Sequence, residues 1–351
     1  MPETLSVERG APAAVLDGAL GLALAATAPL RIEGPLEGAD LEMAQAAAQI
    51  AGIPEAVAAL ASPGAHELSL PQPRAGLHAL DFASAEAGAR ALWTFSWPLA
   101  LLGKPSELRL RGPNHEGGAP TFHDLRFAWA QLAAHFGLKL SLSLTAAGFD
   151  EPGEIVALLD PAPALLPIQA MHRGILRQVN VVAAVAGGRS DAALEAASEV
   201  VKGLRRRGLV AESERVPLPL APSAQARSRW ALTATAEFET SVVSVSEVGQ
   251  WNRLGDAQAV GERVAQRLQD FLERRGAVDA RMAERLLLPS FLCAAGLGAR
   301  AGAAPSCHYS TSEITSGLLQ LATLARLALP VRAIVDGAEG EAGVVVVAPA
   351  T

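Results

Sequence analysis

Aromatic side chains are scarce in this chain: they fill 4% of its 351 positions, with a single tyrosine. Ala, Leu and Val must therefore fill any core, and Trp93 and Trp97, four apart, read as core residues before base-stacking platforms. Cysteine is nearly absent too. Cys293 and Cys307 are the only two; neither sits in a metal or redox spacing, and both read as reduced buried thiols of a cytoplasmic protein. An excess of positive charge is missing, with 29 Lys and Arg against 36 Asp and Glu and a formal net charge of -7. Nucleic-acid binding draws on phosphate neutralisation, so an RNA partner would need a local basic patch, and DNA is not expected. The apolar run Ala19 to Ala28 is too short to span a membrane, and Glu3, Glu8 and Arg9 upstream of it argue against a signal peptide.

What is present is apolar mass. Hydrophobic residues are 50% of the chain and charged residues 19%, a composition that folds around a large core and is not that of a disordered chain. Residues 1–12 read as a ragged start. From Ala13 to about Gln178, strands and helices alternate. Glu107 to Arg111 reads as a strand with one apolar and one basic face, and Leu125, Trp129, Leu132 and Phe136 lie at helical spacing. Gly137 is placed to end that helix, and Leu138, Leu140, Leu142 and Leu144 alternate as a strand.

A second unit starts near Val179. Asp191 to Arg207 is amphipathic, with Leu194, Ala197, Val201 and Leu204 predicted inward and Glu195, Glu199, Lys202 and Arg206 outward. Ala257 to Arg275 repeats the pattern with Val260, Val264, Leu268, Phe271 and Leu272. The predicted organisation is a discontinuous large domain over 13–178 and 277–351, with an inserted α+β domain over 179–276. Lys202, Arg205, Arg206 and Arg207 form the densest basic cluster, either an RNA contact or, more simply, a solvated helix end. Arg173 and Arg177 read as surface cations at the domain junction. His115 and His123 fit no zinc spacing and read as solvated loop histidines, and Glu86 as an exposed carboxylate.

The segment richest in chemistry runs from Met282 to Ile314. An apolar run ends at Pro289, a Gly/Ala-rich loop follows, and then comes Pro-Ser-Cys-His-Tyr-Ser-Thr-Ser. Ser310, Thr311 or Ser312 can cap the helix that Ile314, Leu318, Leu321 and Leu324 predict. His308 would then stand at a loop-to-helix junction, beside free backbone N–H groups and the positive end of a helix dipole. A phosphate suits such a place, and histidine can attack phosphorus.

This segment resembles the C-terminal signature of the RNA 3'-terminal phosphate cyclases. That pattern reads Leu-Ala-Asp-Gln-Leu, an apolar run with proline, a glycine-containing loop, and Pro-Ser-Cys-His followed by Thr-Asn. Met282, Ala283, Glu284, Arg285 and Leu286 stand at its first part. Pro305, Ser306, Cys307 and His308 match its second part, Thr311 matches the threonine, and Ser312 replaces the asparagine. Leu16-Asp17-Gly18-Ala19 resembles the family's opening, and Phe82 to Pro98 its small-residue loop and following helix. Gly112, Asn114, Ala119, Pro120 and Asp124 resemble a Gly-Gly-Thr…Asn…Ala-Pro-Pro…Asp motif, and Gly148-Phe149 resembles Gly-Phe-Tyr-Pro.

The resemblance implies an α+β fold: a large domain of βαβαββ-like repeats, shared with enolpyruvate transferases, and a smaller inserted α+β domain. It implies a ligase of RNA processing that converts an RNA 3'-phosphate to a 2',3'-cyclic phosphate through a histidine–AMP intermediate, using ATP and a divalent metal, Mg or Mn. His308 would be the nucleophile, Glu284 and Arg285 would face the nucleotide, and Arg109, Arg111 and Asn114 would face the RNA 3' end. It assigns no metal ligands. Several family features have changed. The glycine-rich, glutamate- and arginine-bearing stretch after the opening is replaced by Leu20 to Thr27, and a cationic loop by Glu33, Glu37 and Asp40. Phosphoryl chemistry needs its negative oxygens neutralised, so weakened cyclase chemistry is expected. The alternatives are a catalytically degenerate cyclase-fold protein that binds RNA, or another small-molecule transferase on the scaffold.

Overall fold

The computed structural model describes residues 3–149, 151–162, 164–187, 191–220, 229–250, 254–297 and 305–350. The chain opens with a strand, β1 (Leu5–Val7), where the sequence reads as ragged. Helix α1 (Ala13–Ala26), β2 (Leu30–Gly34), α2 (Gly38–Ala51), a short 3-10 helix (Pro54–Ala61) and β3 (Gly64–Leu68) follow. β2 lies between a parallel β1 and an antiparallel β3. The next unit is β4 (Leu77–Asp81), α3 (Ala85–Ala100), β5 (Ser106–Gly112), α4 (Phe122–Asp124), a π-helical turn (Leu125–Trp129), α5 (Ala130–His135), β6 (Leu140–Ala146) and β7 (Gly153–Leu159), its sheet ordered β4-β5-β7-β6.

A third unit begins with β8 (Gln169–Ala170) and is interrupted at once. The intervening module holds β9 (Leu176–Ala186), α6 (Asp191–Arg206), β10 (Glu212–Pro217), β11 (Arg229–Phe238), β12 (Val242–Gln250) and α7 (Leu254–Glu273), with sheet order β10-β9-β11-β12. The third unit then resumes with α8 (Ala280–Ala294), β13 (Cys307–Thr311), α9 (Ser316–Ala328), β14 (Val331–Asp336) and β15 (Gly343–Pro349), ordered β14-β15-β13-β8. Each unit starts with a parallel strand pair joined through a helix: β1 with β2, β4 with β5, β8 with β13. A recurring strand–helix pattern with mixed sheets is the architecture expected for the large part of the chain.

The helices of the three units meet in the middle. α1 packs against α2, α3, α8 and α9, and its residues from Ala14 to Leu24 are all buried. An all-round apolar helix belongs in such a place. Two glycines let its neighbours close in: a Cβ on Gly18 would stand 2.3 Å from Leu321, and one on Gly21 2.4 Å from Leu288. Trp97 and Trp129 meet edge to face at 5.7 Å, and Trp93 joins them, so both tryptophans of α3 are core residues. Leu16-Asp17-Gly18-Ala19, the segment that resembles the family's opening, lies inside α1.

The inserted module has its own core, drawn from residues between Val179 and Phe271, with α6 and α7 packed on the sheet. The buried face of α6 is Ala192, Ala193, Ala196, Ala197, Val200 and Leu204, whereas Leu194 is exposed. The helix is therefore rotated from its predicted facing. The small alanine face lets α7 approach, and Glu199, predicted outward, is buried with its carboxylate accepting from Lys202 at 2.6 Å. On the other face of the sheet, Ala184, Ala186 and Ala231 pack with Phe127, Leu144 and Phe149 of the second unit.

The crossing points are tied by Arg173. Its guanidinium lies over the Phe271 ring at 4.1 Å and donates to the carbonyls of Phe271 (2.9 Å), Leu272 (3.1 Å), Gly276 (2.6 Å) and Arg274. A cation at a helix C-terminus meets unpaired carbonyls and the negative dipole end. Arg173 is thus a half-buried clamp rather than a surface cation, while Arg177 is exposed. Among the described residues no helix is long and apolar enough to cross a membrane.

Candidate functional site

His308 sits on a strand, not at a loop-to-helix junction. It is the second residue of β13, opposite Val346 of β15 and Gln169 of β8. The following helix starts later, at Ser316, where Thr315 caps it by accepting from the Leu318 N–H at 3.0 Å. None of the three predicted caps plays that part. Ser310 instead accepts from the Ala277 N–H and donates to the Met171 carbonyl, each at 2.8 Å. Thr311 is buried, and Ser312 donates its N–H to Val278. Strand alternation puts Cys307 and Tyr309 into the core and leaves His308 half-buried on the opposite face. There its Nε2 is 2.9 Å from the Ser306 hydroxyl, and its backbone N–H donates to Ile168.

Glu284 and Arg285 project from α8 into internal contacts. Glu284 accepts from the Thr315 hydroxyl at 2.6 Å. Arg285 donates to Asp17 and lies 4.8 Å from the Trp93 ring. The same Asp17 carboxylate accepts from Arg90 at 2.8 Å and 3.0 Å, and Arg90 reaches Asp40 at 2.6 Å. Asp17 and Arg90 are each 2% exposed. Burial works against the Arg90 charge, but the neighbouring Asp17 and then Asp40 outweigh it and hold the guanidinium above its ordinary pKa. A buried carboxylate between two guanidiniums is compatible with its surroundings only as a set.

Arg109 and Arg111 lie on the outer face of β5. Arg109 donates to Glu107 at 2.6 Å and Arg111 to Glu154 at 3.0 Å. Asn114, just beyond β5, is buried: its amide donates to the Ala146 carbonyl (3.0 Å) and its Oδ1 accepts from the Gly148 N–H (2.8 Å). Next to it His115 and His123 are buried rather than solvated, 1% and 2% exposed. Their rings are 6.2 Å apart, each stacked on a phenylalanine, Phe149 and Phe127. Burial, with the nearby His123, lowers the His115 pKa to about 3. Burial and Arg126, opposed by Asp124, bring His123 to about 4. Both rings are held neutral.

A cavity of about 330 Å³ opens between α8, the 118–129 segment, β12 and α7. That is the scale of a small-ligand site. Trp93 and Trp129 form part of its apolar wall; Arg267, Arg274 and Arg281 stand beside Asp124, Asp279 and Glu313. Asp124 accepts from the Thr121 N–H (2.7 Å), the Thr121 hydroxyl (2.9 Å), the Ser244 hydroxyl (2.6 Å) and the Ser246 hydroxyl, pinning β12 to the second unit. Asp279 caps α8 by accepting from Met282 at 2.9 Å. Burial raises its carboxyl pKa against the help of that N–H, and Asp124 adds to the rise.

Sequence reasoning missed this polar junction. Its local signals were there to read: Thr121-x-x-Asp124 is a capping-box spacing, and Asp279 precedes an apolar helical run. His308 does not line the cavity, but Ser312, the residue after the end of β13, does. Four residue steps along an extended chain separate them, about 13 Å. Arg109 and Arg111 belong to a different sheet. Among the described residues, no group of three or more His, Cys, Asp or Glu side chains could hold a metal, so no step is assigned to the metal that the resemblance implies.

Comparison with known proteins agrees with this architecture. A model of the family described as RNA 3'-terminal phosphate cyclase matches residues 28–335. A protein named RNA 3'-terminal phosphate cyclase from Ralstonia nicotianae is 30% identical over 320 residues, covering 85% of this chain and 85% of its own. Proteins of the same name from Koribacter versatilis and Nostoc punctiforme are 28% and 27% identical. The first covers 80% of each chain; the second covers 70% of this one and 68% of its own.

Proposed function

Because the chain belongs to the RNA 3'-terminal phosphate cyclase family, we propose that it acts in the cytoplasm on RNA 3'-terminal phosphates through His308, with weakened turnover. With Ser306 donating, His308 Nε2 carries no proton, and its lone pair is freed for attack when the Ser306 hydroxyl turns away. That nitrogen attacks the α-phosphorus of ATP, the bond to pyrophosphate breaks, and AMP is held on the imidazole. An oxygen of the RNA 3'-phosphate then takes the AMP and frees His308. The adjacent 2'-hydroxyl closes the ring and expels AMP. The cavity lined in part by Ser312 is of a size for the nucleoside part, with Arg281 also in its lining. The observation that carries this reading is the half-buried His308 ring on β13, hydrogen-bonded at Nε2 to Ser306, in a segment whose Ser312 lines the cavity.

A second reading, RNA binding without turnover, is favoured by a specific feature. Arg90, Arg285, Arg109 and Arg111 each already face a carboxylate. A phosphate entering beside them must compete, and roughly each 1.4 kcal/mol of lost stabilisation slows a step tenfold. Labelled ATP with magnesium or manganese decides between the two. Acid-labile label on the wild-type protein and none on His308→Asn supports the first. An unlabelled protein that still binds 3'-phosphorylated RNA in a salt-dependent way supports the second.

A further inference from the structure

Alternation along β13 sends His308 to the outer face of the third sheet, and strand pairing fixes what shares that face with it. Gln169 of β8 flanks His308 on one side and Val346 of β15 on the other; beyond Val346 comes Ile334 of β14. Two residues along β15, toward the Ser306 end of β13, Ala348 stands opposite Arg332. The inner face is spent on the core, with Tyr309, Val345 and Val347 buried. The outer face is open: Val346 and Ala348 are half-buried, Ile334 is 41% exposed and Arg332 is exposed. Unlike Arg109 and Arg111, Arg332 takes part in no ion pair among the described residues. We infer that the 3'-terminal nucleotide of an RNA strand lies across this face, with its 3'-phosphate at His308, its sugar and base over Val346 and Ile334, and its 5'-phosphate at Arg332.

The spacing suits one nucleotide. Two strands across and two residues along, the backbone at Arg332 is about 12 Å from that at His308. A guanidinium on its long stem and an imidazole can narrow that distance to the gap between consecutive phosphates. The floor between them is apolar, so a sugar and base that cover it gain from the water they displace. Arg332 offers what a chain of net charge -7 otherwise lacks, an unengaged cation on the same face as the reacting group; a phosphate that binds it releases counterions.

The two ends of the face set the direction of entry. At the Ser310 end, Asp336 shares the face opposite Val344, and Glu339 and Glu341 are exposed in the hairpin tip beyond it. Those carboxylates turn a polyanion away. That end is also closed, because Ser310 is buried and donates to the Met171 carbonyl. The strand therefore enters from the Arg332 end, opposite to the side on which Ser312 lines the cavity, and the nucleoside of ATP and the RNA do not compete for space. This placement rests on His308 being the reacting group, as proposed above.

The test measures binding by the full chain without ATP, so turnover plays no part. Uridine 3',5'-bisphosphate should bind about tenfold more tightly than uridine 3'-phosphate; Arg332→Ala should erase that preference and Arg332→Lys keep part of it. On a 3'-phosphorylated oligouridylate, Arg332→Ala should flatten the slope of log K against log salt by about 0.7. Ile334→Asp should weaken that RNA about tenfold. Both side chains are exposed, so unchanged thermal unfolding is expected; where a variant melts early, Arg332→Gln or Ile334→Ser takes its place. A bisphosphate preference that survives Arg332→Ala overturns the inference. So does a 3'-hydroxyl oligouridylate that binds as tightly as the phosphorylated one, or an absence of RNA binding at low salt. Adenylate labelling separates the two claims. A labelled wild type whose RNA affinity neither variant changes sinks the RNA face alone. An unlabelled wild type whose RNA affinity falls in both variants refutes turnover at His308 and leaves the RNA face standing.

Discussion

Two sets of arginines in this chain have the same kind of partner in opposite surroundings. Arg90 and Arg285 meet Asp17 among the central helices, with Arg90 and Asp17 almost sealed from water. Arg109 and Arg111 meet Glu107 and Glu154 on the outer face of a sheet, where the Arg111 side chain is 50% exposed. In water the exposed pairs trade one hydrogen-bonded state for another at small cost. In the interior neither partner has water to return to, and removing one strands the others. Cations of the first set are committed to holding α1, α3 and α8 together. Only those of the second set can be released to an incoming phosphate, so family chemistry that relies on free cations must find them on surfaces or bring them with the substrate.

This contrast can be broken by measurement. Asp17→Ala leaves two buried guanidiniums facing each other and should destabilise the fold by about 3–5 kcal/mol in chemical denaturation; a loss below about 1 kcal/mol would mean that the interior is wetter than the geometry indicates. The same dry interior should show in the acid limb. His115 and His123 are neutral when folded and accept protons once unfolded, so the unfolded state binds more protons below the ordinary histidine value. Stability is then fully present above about pH 6.5 and lost as pH falls toward 4, by about 2–3 kcal/mol per histidine. Replacing His115 with Phe should flatten that slope; an unchanged slope would place the titration elsewhere.

A half-buried contact should fall between the extremes. Thr315→Val removes the cap on Leu318 and the bond to Glu284, and thermal unfolding should report about 1 kcal/mol. Smallest of all, Glu154→Gln beside Arg111 should change stability by less than about 1 kcal/mol, and added salt should erase the difference. A loss as large as that of Asp17→Ala would end the distinction between the two sets.

Much of the scaffold could be read from periodicity. The stripe of Val260, Val264, Leu268 and Phe271 is the buried face of α7, and Gly137 ends its helix at φ 83°. These features depend on neighbours a turn away. Other readings went wrong where the deciding partner was distant. Asp17 sits inside the apolar helix α1 because its counter-charges come from Arg90 and Arg285 in other helices, partners that its own neighbours in sequence do not reveal. β1 is three residues long beside charged ones, and it is a strand because β2 accepts it. His115 and His123 are buried because the second unit's phenylalanines and the inserted sheet close over their segment. His308 was picked out by its neighbours in sequence. Its place on a strand follows from β15 and β8, and from a cap that waits until Thr315 in a segment offering several hydroxyls.

The Arg173 clamp has a mechanical meaning. One side chain grips both the segment that leaves the first body of the protein and the segment that returns to it. The two crossings therefore cannot drift apart one at a time. A pull or a cut at either is felt at the other, and any swing of the smaller lobe has to strain that rivet together with the bonds that Asp124 accepts from Ser244 and Ser246.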